Sequence, residues 1–68
     1  MFIEIDTMLV NLETVKEVYI RIDADEAYFV VMIHKDGKEN SFYYPTREDA
    51  RGVVNKIALT VGAVSIWL

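Results

Sequence analysis

The stretch from Tyr28 to Tyr44, YFVVMIHKDGKENSFYY, decides the fold. Two runs rich in β-branched and aromatic residues flank Asp36-Gly37. A type I′ hairpin turn needs φ > 0 at both central positions, and Asp-Gly tolerates that. Closing the chain there opposes Lys35 to Lys38, His34 to Glu39, Val31 to Phe42 and Phe29 to Tyr44. Side chains alternate between the two faces of a strand. This register therefore predicts one face with Phe29, Val31, Ile33, Phe42 and Tyr44, and another with Tyr28, Val30, Met32, His34, Ser41 and Tyr43.

Working back toward the N-terminus, Val18 to Asp23 alternates cleanly. A turn at Ala24-Asp25 places Ile22, Ile20 and Val18 across from Ala27, Phe29 and Val31, on the face that holds Phe42. The two turns assign the same core face. Asp6-Thr7 closes a first hairpin in which Ile3, Ile5, Met8, Val10 and Leu12 share a side, and a bend at Glu13-Thr14 leads into the third strand.

Toward the C-terminus, Pro45 precedes Thr46, a good N-cap, and Glu48 and Asp49 complement the helix dipole. Ala50, Val53, Val54, Ile57, Ala58 and Val61 form one apolar stripe at helical spacing, and Gly62 is the expected stop. The alternating tail Ala63–Leu68 reads as a short sixth strand. The expected fold is one α+β domain over residues 1–68. It is a curved antiparallel β-meander of five to six strands, with a C-terminal helix packed on one face.

Composition narrows the function. The chain has 68 residues, no Cys, one His and a net charge of -4 from 11 Asp+Glu against 7 Lys+Arg. Without Cys there are no disulfides, thiolate metal sites or cysteine nucleophiles. The acidic balance argues against non-specific nucleic-acid or anionic-membrane binding, which needs positive potential. The N-terminus lacks a basic, long apolar leader, and the apolar tail is far shorter than the ~20 residues of a membrane span. A cytoplasmic protein with no membrane association is expected.

No enzyme signature emerges, and no cofactor or metal is expected. Gly37, Gly52 and Gly62 are isolated rather than gathered in a phosphate-binding loop. His34 opposite Glu39 reads as an exposed cross-strand pair rather than a catalytic base, because a base needs an orienting partner and a nucleophile. Asp23, Asp25 and Glu26 lack the further oxygen ligands and glycine of a calcium loop and read as a solvated turn. Arg47, Arg51 and Asn55 share a helix stripe that could hold an anion, but Glu48 and Asp49 beside them favour a solvated face.

The residues least like an ordinary surface are Tyr19, Tyr28, Val30, Met32 and Tyr43, which the register places on the face away from the helix. A solvated sheet face carries Thr, Lys and Glu, whereas aromatics and Met are what interface cores favour. A core in a chain this short supplies only ~3–5 kcal/mol, and association is the one aid to stability left open. The expected function is a non-enzymatic protein-interaction module, homo-oligomeric through this face and most simply a dimer, with a further protein partner also open. Burial of the face by the curled sheet or the tail is the competing structural outcome. The functional alternative is single-stranded nucleic-acid binding, with Tyr19, Tyr28 and Tyr43 stacking bases near Arg21 and Lys16. Net charge counts against it.

The layout Val10-Asn11-Leu12, Val15-Lys16-Glu17-Val18, the Asp36-Gly37 hairpin and the helix opening Thr46-Arg47-Glu48-Asp49-Ala50 resembles small uncharacterised proteins of bacteria and their phages. The resemblance covers most of the chain and rests on generic motifs. It implies a compact accessory protein and carries no functional residues across.

Overall fold

A computed structural model describes residues 1–61, and three hairpin turns at residues with positive φ organise its β-rich part. Strands β1 (Phe2–Ile5) and β2 (Met8–Asn11) meet at Asp6-Thr7, where φ is 48° and 68°. Ile5 pairs with Met8 and Ile3 with Val10, the two-residue turn and register that the sequence predicts. One turn of 3-10 helix, Leu12–Thr14, then leads to β3 (Val15–Ile22), β4 (Tyr28–His34) and β5 (Glu39–Tyr44). Helix α1 (Arg47–Val61) follows.

The other two turns differ from the expectation, and in the same way. At the β4–β5 turn, the His34 N–H donates to the Lys38 carbonyl at 2.8 Å and the Gly37 N–H to the His34 carbonyl at 2.9 Å. Gly37 sits at φ 89°. At the β3–β4 turn, the Asp23 N–H donates to the Ala27 carbonyl and the Glu26 N–H to the Asp23 carbonyl, each at 3.0 Å, with Glu26 at φ 57°. Both are three-residue loops ending in a left-handed residue, so each holds one residue more than a type I′ turn.

That extra residue shifts each register by one. Val30 rather than Val31 faces Phe42, and Ile20 faces Val30 rather than Phe29. A one-residue shift turns a strand over. The outer strands β3 and β5 keep the faces read from sequence, while the central strand β4 is inverted between them.

The α+β architecture holds: the described residues form five antiparallel strands in chain order, with one helix packed against them. The strands form two sheets, β1-β2 and β3-β4-β5, rather than one continuous meander. The break lies at the 3-10 turn. Asn11 Oδ1 accepts from the Glu13 N–H at 3.1 Å, and the Thr14 hydroxyl reaches the Asn11 carbonyl at 3.0 Å. These bonds cap the turn and redirect the chain. The Lys35 N–H then donates to the Thr14 carbonyl at 2.8 Å, and pairing resumes through an irregularity between Val15 and Glu17.

The smaller hairpin and the helix both pack on one side of the larger sheet. Ile3, Ile5, Val10 and Leu12 join Met32, Phe42 and Ile57 in one buried cluster, and Val30, Ala50 and Val54 form the second. Thr46 caps the helix as expected, its hydroxyl accepting from the Asp49 N–H at 3.2 Å. Lys56 on the helix donates to the Glu4 carbonyl of β1 at 3.3 Å, which ties the helix to the small sheet. The expected Gly62 stop and the strand at Ala63–Leu68 lie outside the described residues.

Candidate functional site: the sheet face away from the helix

Registered pairing arranges the face opposite the helix in three cross-strand rows. Arg21, Phe29 and Tyr43 form the first; Tyr19, Val31 and Ser41 the second; Glu17, Ile33 and Glu39 the third. The first row is held together by its rings. The Arg21 guanidinium lies 4.9 Å from the Phe29 ring centroid, and Phe29 meets Tyr43 edge-on, with centroids 5.6 Å apart and ring planes at 60°. Arg21 Nε is also 3.7 Å from Asp23 Oδ1, at the start of the acidic loop.

Burial grades outward from the middle strand. Val31 is fully buried, Tyr19, Phe29 and Ile33 are half-buried, and Glu17, Arg21, Glu39, Ser41 and Tyr43 are exposed. Tyr43 keeps 56% of its surface in solvent, the largest exposed apolar contribution of this face.

The five residues singled out from sequence therefore divide. Tyr19 and Tyr43 lie on this face. Val30 and Met32 do not: both are fully buried on the helix side, Val30 with Ala50 and Val54, and Met32 with Phe42 and Ile57. Tyr28 is on the helix side too, registered with Ile22 and Tyr44. Tyr19, Tyr28 and Tyr43 thus form no common platform. Phe29, Val31 and Ile33 take the places of the misplaced residues, because the longer turns invert β4.

His34 is half-buried and engaged at both ring nitrogens. Nε2 bonds Asn40 Oδ1, and Nδ1 lies 2.8 Å from the Thr14 hydroxyl. The amide oxygen only accepts, so Nε2 carries a proton. The Thr14 hydroxyl donates to the Asn11 carbonyl, which holds it between the ring and the start of the 3-10 turn. The expected pairing of His34 with Glu39 is replaced, since Glu39 registers with Ile33. The imidazole braces the 3-10 turn against β5. Beside it lies an open hollow of about 390 Å³, lined by Thr14, His34, Asp36, Lys38, Glu39 and Asn40.

Among the described residues, one titratable group is clearly perturbed. The Tyr44 phenol is pushed up to about 12, first by burial, then by its hydrogen bond to Asp6 and the negative charges of Asp6 and Asp49. It lies on the helix side, away from the aromatic row.

Among the described residues, no helix is long and apolar enough to cross a membrane. No family model, curated protein or solved structure matches the chain.

Proposed function

We propose that this protein is a non-enzymatic interaction module whose first partner is a second copy of itself, held through the outer face of the β3-β4-β5 sheet. One observation carries the reading: the ordered row Arg21–Phe29–Tyr43 across all three strands, with Tyr43 exposed at its edge. Tyr and Arg are the residue types on which interface energies concentrate, and a ring fixed by its neighbours loses little freedom on docking. The small core supplies the second reason, since association adds apolar burial to a chain of 68 residues whose own core is limited. The sites proposed are Tyr19, Arg21, Phe29, Ile33 and Tyr43.

Light scattering across a concentration series tests this. The wild type is expected to rise from monomer to dimer mass by high micromolar concentration, and Tyr43→Asp is expected to stay monomeric with an unchanged far-UV spectrum. A wild type of monomer mass throughout would overturn it. So would a salt-sensitive shift of single-stranded DNA or RNA abolished by Tyr43→Ala, which would assign the face to base stacking instead.

A further inference from the structure

Charge is distributed unevenly along this face. Arg21 stands in the first row, and two carboxylates, Glu17 and Glu39, flank Ile33 in the third. The loops continue the asymmetry with opposite sign. Asp23, Asp25 and Glu26 extend beyond the first row, whereas Lys35 and Lys38 extend beyond the third, with Asp36 between them.

Resting on the self-association proposed above, we infer that two copies stack in a single antiparallel register, with the two-fold axis running across the strands at the middle row. Two simple two-fold arrangements are open to stacked sheets. An axis parallel to the strands sets each row on its own copy, which brings the acidic loop against the acidic loop and Glu17 against Glu39. Like charges facing each other across an interface are disfavoured. An axis across the strands, through Tyr19, Val31 and Ser41, exchanges the first row with the third. Arg21 of one copy then meets Glu17 of the other, Phe29 meets Ile33, and the Tyr43 hydroxyl meets the Glu39 carboxylate. The acidic loop comes to the end that holds Lys35 and Lys38. Stacked sheets lie ~10 Å apart and rotate by about 30°, a gap that facing Arg and Glu side chains span. Arg21 and Glu17 lie four residues apart along one strand, too far to pair within a chain.

Paired charge reversals test the register. Arg21→Glu and Glu17→Arg alone each set like charges together, and each is expected to weaken the homodimer at least about tenfold. An equimolar mixture of the two variants pairs opposite charges at both positions of this arrangement. It is expected to form a heterodimer, detected by native mass spectrometry, with affinity near that of the wild type. Far-UV spectra and thermal midpoints of the separate variants check that each is folded. A wild-type dimer that persists in both variants, or variants that dissociate and are not rescued by mixing, would overturn the register while leaving self-association standing. A monomeric wild type would remove both.

Discussion

The Tyr44 hydroxyl donates to Asp6 Oδ2 at 3.1 Å and so joins the last strand of the larger sheet to the turn of the smaller one. Asp6 is itself in the left-handed region at φ 48°, and the bond spans 38 positions of sequence. It holds the β1–β2 turn against the body of the protein.

Removing the hydroxyl is expected to loosen that connection. Tyr44→Phe should lower unfolding stability by about 1 kcal/mol, the usual worth of one hydrogen bond with a charged acceptor and partial exposure. Chemical denaturation measures it, and hydrogen exchange should rise first in Met8–Asn11.

Burial of the phenol, with this bond and the nearby charges of Asp6 and Asp49, sets a pH dependence. The folded phenol is raised to about 12 from an ordinary 10, so the folded state holds the proton more tightly than the unfolded chain. This contribution is fully present below pH 10 and is lost as pH climbs through 12. The wild-type denaturation midpoint should therefore fall more steeply over that window than the Tyr44→Phe midpoint. Parallel slopes would contradict the assignment.

Turn chemistry offers opposite tests at two equivalent positions. Glu26 and Gly37 end the two three-residue loops, yet only one is glycine. Glu26→Gly is expected to stabilise the fold by about 0.5–1 kcal/mol, because a side chain in the left-handed region is strained. Gly37→Ala is expected to destabilise it by about 1 kcal/mol. A Cβ at Gly37 meets nothing within 4 Å, so the backbone alone carries that cost. Thermal midpoints of the two variants should move in opposite directions.

The orientation of β4 decides where a charge is tolerated. Val30→Asp places an unpaired carboxylate beneath Ala50 and Val54 and is expected to unfold the protein. Met32→Ala opens a cavity beside Phe42 and Ile57 and is expected to cost about 2–5 kcal/mol. Tyr43→Asp, on the other side, should leave the far-UV spectrum unchanged, and its thermal midpoint should match the wild type at concentrations low enough for both to be monomeric.

His34→Ala removes both ring contacts and leaves Asn40 and Thr14 to water. A loss of about 1–2 kcal/mol is expected, above that of an exposed cross-strand pair. The thermal midpoint reads it. A change within error would show that the 3-10 turn is held without the imidazole.

These variants mark where sequence reasoning succeeded and where it stopped. The helix was legible because Thr46 and the stripe from Ala50 to Ile57 give independent signals, cap and period, for one element. The first hairpin was legible because Asp6-Thr7 is a true two-residue turn, so the register counted outward from it stands. Strand β4 resisted because Phe29 to Ile33 is apolar in both phases, so neither face of FVVMI is marked as the solvent side. Its orientation then rested on turn length alone, and Asp36-Gly37 suits a two-residue turn as well as a three-residue loop with glycine last. The agreement of the two turns was no independent check, since both loops hide the same extra residue. The candidate face inherited that error in Tyr28, Val30 and Met32 and escaped it in Tyr19 and Tyr43, which lie on the outer strands.

The central claim, that the chain self-associates through the face bearing Phe29, Ile33 and Tyr43, is tested most directly by following side-chain NMR signals on dilution from high to low micromolar concentration. The Ile33 methyl signals and the Phe29 and Tyr43 ring signals are expected to shift together along one binding curve, while those of Val30, Met32 and Ala50 stay fixed. Shifts confined to Leu59 on the helix or Leu9 on the small hairpin, with the Phe29, Ile33 and Tyr43 signals unchanged, would contradict it.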